Sequence, residues 1–230
     1  MKIKKLIIIL CAAFTLAHAH AQGTTFYDGT FSDSDWTGTK IYDTTAGQSA
    51  TFSASQTASG GNPGAFRETI QDYGTGGIRV GDLDSNFIFN PATQGAIASI
   101  DFSYDSDAFA TGISGAIGYG LVVFQNGSFY ASDAEDVVTA NQWNTFSHTG
   151  LSATDFTLVG GSSNPDFTDT GSPIEFGYYT SNGTGFGTGH TDSGIDNFSV
   201  TAVPEPSMSI FGAASALALL LCRKRYQQSA

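Results

Sequence analysis

The chain has 230 residues, with 9 Lys and Arg against 21 Asp and Glu, a formal net charge of −12 and two cysteines. A field of that sign excludes nucleic acid and anionic membrane surfaces as partners and favours divalent cations. Both cysteines, Cys11 and Cys222, stand in terminal apolar runs, so the middle of the chain has no disulfide and must fold on its core.

Lys2, Lys4 and Lys5 precede an apolar run from Leu6 to about Leu16, and small residues follow. Ala19-His20-Ala21 fits the pattern read by signal peptidase, with cleavage before Gln22; Ala17-His18-Ala19 is the alternative site. The run is too short for a stable membrane span. Cys11 raises a lipid anchor as a further alternative, but Leu10 stands where a small residue is needed. Residues 1–21 therefore read as a signal peptide and the protein as exported.

Residues 22–201 read as one domain. Lys40, Arg67 and Arg79 are its cations, against twenty carboxylates, a net charge of −17. Gly, Ser, Thr and Asn abound, and no stretch carries a 3.6-residue apolar period. Short runs of period two recur instead, near 24–31, 39–45, 49–57, 66–71 and 86–89. "ASIDFSYDS" puts Ile100, Phe102 and Tyr104 on one face; "GLVVFQNGSFYAS" predicts a hairpin through Asn126-Gly127, a pair suited to positive φ. Strands near 142–149, 155–160 and 195–202 follow, and "SPIEFGYYTSN" places Ile174, Phe176 and Tyr178 together, with Tyr179 and Glu175 opposite. Ten to twelve short strands bounded by turn residues predict an all-β, antiparallel sandwich or jelly roll.

Carboxylates give the one metal expectation. Alternation puts Asp196 on the side of Phe198 and Val200, and an inward carboxylate needs compensation that a bound Ca²⁺ would supply. The other reading starts the strand at Asn197 and leaves Asp196 in solvent. Asp82-Leu-Asp84-Ser-Asn86 begins like a calcium loop but has Phe87 in place of the glycine. The pairs Asp33/Asp35 and Asp105/Asp107 read as solvated turns. Catalysis has little support: His148 and His190 stand alone, His148 as a surface residue, and nothing singles out a pair among Glu68, Glu135 and Glu175. Sugar binding needs aromatic platforms, for which Trp36, Trp143 and Tyr179 are the candidates, with Tyr130 beside them; packing is the competing role of each.

"TTFYDGTFSDSDW", "SGGNPGAFRE" and "SGIDNFSV" resemble pieces of secreted laminin-G-like and carbohydrate-binding jelly-roll domains. That resemblance implies a β-sandwich and gives Asp28, Gly29, Phe31 and Trp36 counterparts in its opening strand. Asp28 joins Asp196 as a candidate ligand through it. Ser32, where an acidic residue is usual, departs from the pattern.

The chain closes on Val203-Pro204-Glu205-Pro206-Ser207, an apolar run over 208–222, and Arg223-Lys224-Arg225. The prolines keep Glu205 in an extended segment. As a helix the run would span about 22 Å, short of the roughly 30 Å of hydrocarbon, with the cations on the cytoplasmic side. This arrangement over 202–230 resembles the PEP-CTERM sorting signal of Gram-negative bacteria. The resemblance implies an exosortase partner, a transient stay in the inner membrane, and delivery to the cell surface or a biofilm matrix. A plain C-terminal anchor is the alternative. Two functions stand: a non-catalytic acidic matrix protein, and a carbohydrate-binding module recognising exopolysaccharide.

Overall fold

A computed structural model describes residues 23–111 and 116–205, of which Gly23–Pro204 forms one compact unit. The cleavage residues Ala19, Ala21 and Gln22, the 208–222 helix, Pro206 and the cations Arg223, Lys224 and Arg225 lie outside the described residues. Among the described residues no helix is long and apolar enough to cross a membrane.

The described residues form twelve strands in order: β1 (Thr24–Asp28), β2 (Trp36–Asp43), β3 (Thr51–Gly61), β4 (Gly64–Tyr73), β5 (Gly76–Phe89), β6 (Ile97–Ala110), β7 (Ile117–Gln125), β8 (Ser128–Val138), β9 (Asn144–Leu151), β10 (Phe156–Leu158), β11 (Ile174–Thr184) and β12 (Gly189–Pro204). A short α-helix, Pro91–Gln94, starts at an Asn90 cap whose side chain accepts from the Ala92 amide. The strands form two sheets, all strand pairs antiparallel. The first runs β3-β4-β12-β6-β9, with β1 also on β12; the second runs β10-β8-β7-β11-β5-β2. The protein is an all-β sandwich.

The predicted alternations place the core. Ile100, Phe102 and Tyr104 from the first sheet meet Ile174, Phe176 and Tyr178 from the second, all buried in one cluster. The β7–β8 hairpin turns at Asn126 (φ 52°) and Gly127 (φ 75°), with Gln125 opposite Ser128. Trp36 lies in the cluster, 4% exposed, its ring 5.2 Å from Phe31, 5.6 Å from Tyr178 and 5.8 Å from Phe198. Beside this apolar half the two sheets meet through polar groups. Arg67 on β4 reaches Asp82 on β5 at 3.0 Å, Gln71 donates to Thr180 at 3.0 Å, and Tyr119 donates to Ser193 at 2.7 Å.

Four sequence expectations need correction. The strand expected at 86–89 is the end of a fourteen-residue β5, whose Asp82 and Asp84 are buried in the ladder and form no loop. Asp105 and Asp107 are buried on β6, not solvated turn residues; Asp105 accepts from Thr145 and Asp107 from the Gln142 amide. Asp196 does not share a face with Phe198. A bulge between Asp196 and Ser199, with Asn197 at φ 50°, inserts a residue and breaks the alternation. Ile195 and Phe198 both reach the core, and Asp196 turns to the other face. β12 also runs past residue 201 to Pro204, because β6 begins at Ile97 and supplies a register partner. A proline is tolerated at such a strand end.

Candidate functional site

The outer face of the second sheet carries an open cleft of about 580 Å³. Two glycines of β7 shape its floor. A Cβ on Gly120 would stand 2.6 Å from the Tyr179 ring, and one on Gly118 2.6 Å from the Glu135 carboxylate. Bare backbone there lets both side chains lie flat across the sheet. Tyr179 donates its hydroxyl to the Ser132 carbonyl at 3.1 Å. The Arg79 guanidinium covers its ring at 4.5 Å from the centroid, leaving Tyr179 1% exposed. Arg79 Nη2 also faces Glu135 Oε2 at 3.4 Å.

The walls come from the ends of the sheet. Tyr42, on β2, is 43% exposed and stands on one rim. The opposite rim is Thr157–Gly160, held down where the Val159 amide donates to the Phe129 carbonyl at 2.9 Å. Asp133 and Ser181 add polar groups to the lining. Beneath lies a second apolar cluster of Leu83, Val122, Ala131 and Tyr179, flanked by Ile41, Phe124 and Phe129. A trough with an exposed phenol ring, a guanidinium, two carboxylates and a hydroxyl can stack an apolar ring face while bonding its hydroxyls.

The expected site residues separate. Tyr179 lines the cleft, but Arg79 covers its face, so it forms the floor and not a bare platform. Trp36 is no platform at all: it is core, and its indole N–H donates to Asp28 Oδ2 at 2.7 Å. Trp143 lies against the first sheet, packed edgewise on Phe66 at 5.5 Å and Phe109 at 6.0 Å, its indole donating to Gly60 at 3.1 Å. Tyr130 packs against the core. His148 is half-buried and anchored by its neighbours. It stacks on Phe102 at 4.9 Å and meets Asp136 at 2.8 Å, the same oxygen that accepts Tyr104 at 2.6 Å. Sequence reasoning passed over Tyr42, Arg79 and Asp133. The scarcity of cations, with Lys40, Arg67 and Arg79 alone in the domain, was the signal that could have drawn attention to Arg79.

The carboxylates expected to hold a cation have protein partners. Asp28 accepts the Thr30 amide and hydroxyl, the Phe31 amide and the Trp36 indole. Burial pushes its pKa up, but these bonds outweigh it and hold the group below the usual carboxylate range. Asp196, fully buried, accepts the amides of Asn62 at 2.5 Å and Asn197 at 2.7 Å. Burial nonetheless raises its pKa, with Asp105 and Asp28 adding to the shift. Among the described residues no three His, Cys, Asp or Glu side chains converge as a metal-ligand set.

Fold and site together define a two-sheet sandwich with an open polar trough on one outer face. No protein-family model and no curated protein matches the chain. Among solved structures it is similar to a family 11 carbohydrate-binding module from Clostridium thermocellum, in complex with a β-1,3-1,4-mixed-linked tetrasaccharide, at 13% identity and TM-score 0.46; the match covers 80% of this chain and 98% of that one. It is similar to the xylan-binding module CBM15 at 15% identity and TM-score 0.43, covering 80% and 99%. The CBM22-1 xylan-binding domain from Paenibacillus barcinonensis matches at 13% identity and TM-score 0.42, covering 79% and 94%.

Proposed function

We propose that the protein is exported and that its sandwich is a non-catalytic polysaccharide-binding module, displayed at the cell surface or in the extracellular matrix. The observation that carries the binding reading is the cleft: a trough of about 580 Å³ with Tyr42 exposed on its rim and Arg79 fixed over Tyr179 in its floor. A planar guanidinium held by stacking loses little freedom when it bonds sugar hydroxyls, and Tyr42 offers a ring for an apolar sugar face.

The routing part of the proposal rests on the terminal segments. Pro204 is the last residue of β12 and Glu205 after it is exposed, which supports an accessible triplet. Signal peptidase would act before Gln22. An exosortase would act near the triplet while the apolar run sits transiently in the inner membrane.

Affinity electrophoresis of the purified protein through gels containing neutral polysaccharides tests the binding reading. Retention in chelator is expected, and Tyr42→Ala or Arg79→Ala should abolish it without lowering the melting temperature by more than a few degrees. Retention that needs calcium and survives both substitutions would point instead to an acidic cohesion protein.

A further inference from the structure

We propose that, within the polysaccharide reading of the cleft, Glu135 masks Arg79 and thereby sets the site against uronate-bearing chains. Arg79 is the cation of the cleft, and an unpaired guanidinium there would be a natural partner for a sugar carboxylate. It is not unpaired. One face stacks on Tyr179 at 4.5 Å, and Nη2 is turned to Glu135 Oε2 at 3.4 Å. The buried Nε has no hydrogen-bond acceptor, so that edge is closed to an incoming carboxylate as well. What remains available suits hydroxyls, which accept a hydrogen bond without demanding a full opposite charge.

Glu135 is held in this role by the strand beside it. Gly118 carries no side chain, and a Cβ there would meet the Glu135 carboxylate at 2.6 Å. Asp133, two residues along the same face of β8, adds a second carboxylate to the lining. The cleft thus holds one cation against two anions. No other cation among the described residues compensates: Arg67 is buried between the sheets on Asp82, and Lys40 is bonded to Asp43 and the Ala50 carbonyl. One uncompensated carboxylate facing a uronate at about 7 Å, through a mixed protein–water medium, weakens binding by about tenfold.

The test is binding of the purified protein in chelator, at low salt, to a neutral β-glucan and a neutral xylan against polygalacturonate and alginate. Wild type is expected to bind a neutral chain at least about tenfold more tightly than either polyuronate. Glu135→Gln should raise the uronate-to-neutral affinity ratio by about tenfold. Asp133→Asn should move it in the same direction, and serves if the first variant misfolds. Raising salt should narrow the wild-type discrimination. A wild type that binds polyuronates as tightly as neutral chains, or a ratio that neither substitution moves, overturns the selectivity while leaving the binding reading intact. A wild type that binds none of the four overturns the binding reading itself.

Discussion

Arg67→Met removes the cation that lies between the sheets and leaves Asp82 behind it. Arg67 is 2% exposed and Asp82 1%, and their Nε–Oδ2 separation is 3.0 Å. Neither group can turn to water when its partner is lost, so the surface discount on ion pairs does not apply. Removing one member of such a pair costs about 3–5 kcal/mol, because the remaining charge stays buried. At about 2–4 °C per kcal/mol for a domain of this size, the melting temperature should fall by roughly 6–20 °C. The loss must also depend on pH in a specified direction. Burial already holds the Asp82 pKa above its ordinary value despite the opposing pull of Arg67. Without Arg67 it rises further, so the folded variant binds a proton that the unfolded chain has released. The penalty therefore shrinks on acidification, by up to about 1.4 kcal/mol per pH unit between the two pKa values. Asp82→Asn in the Arg67→Met background should recover much of the loss at neutral pH and remove its pH dependence. Urea unfolding followed by tryptophan fluorescence at pH 8, 7, 6 and 5 measures both quantities. A loss under about 1 kcal/mol, or one that does not diminish toward pH 5, refutes the claim that Arg67 compensates a buried Asp82 charge.

For the wild type, burial raises the pKa values of Asp82, Asp84, Glu175, Asp192 and Asp196, so their contribution favours folding at low pH and is lost as pH rises through the folded values. Asp43, drawn down to about 2 by its bond from Lys40, works oppositely: its contribution is present above pH 4 and is lost below. The melting temperature should accordingly rise as pH falls from neutral toward the ordinary carboxylate range and turn down below about 4; a steady fall from pH 7 in scanning calorimetry contradicts this. Asn197→Ala should cost about 2–3 kcal/mol, from the positive-φ backbone and the bonds of its amide to Asn62 and Asp105. Asn197→Gly should recover only the backbone part, as denaturant melts of both variants would show. Because Asp28 and Asp196 already accept protein donors, wild-type melting in calcium and in EDTA should coincide, and Asp196→Ala should lose about 2 kcal/mol in either. A rise of about 5–10 °C in calcium would return a cation to this pair.

The sandwich was legible wherever a strand has one apolar and one polar face. β6, β11 and the β7–β8 hairpin are of this kind, and their period of two is a local property of the chain. β5 was legible only at its end, because its inward positions include Asp82, whose partner Arg67 is fifteen residues away on the other sheet. A carboxylate cannot announce from sequence that an arginine awaits it. The Asp196 face failed for a related reason. A bulge adds one residue and reverses the side chains on one flank, and its cause lies in contacts of Asn197 with Asn62 and Asp105 that no window of sequence contains. For Trp36 both roles stayed open in the sequence, because size alone does not distinguish a platform from a core residue. Trp36 inserts among Phe31, Tyr178 and Phe198, which only the folded chain brings together.

Tyr178 and Tyr179 show how one strand serves the fold and the site at once. Alternation sends Tyr178 into the core, 5.6 Å from Trp36, and Tyr179 to the outer face beneath Arg79. The second ring would stand upright and fill the trough if β7 carried side chains opposite it, and Gly120 is what lets it lie down. The glycine-rich "IGYGLVV" of β7 thus has two jobs in alternation: Tyr119 and Leu121 pack inward, while Gly118 and Gly120 keep the outer face low. Depth in the cleft comes from what is missing along β7 and from the Thr157–Gly160 wall beyond β8. It follows that Gly120→Ala should close the cleft from below, by lifting Tyr179 and the stacked Arg79, while leaving the inward core untouched. Polysaccharide retention should be lost at a stability cost confined to this face, whereas Tyr178→Ala, beside Tyr179 on β11 but facing the core, should unfold the domain.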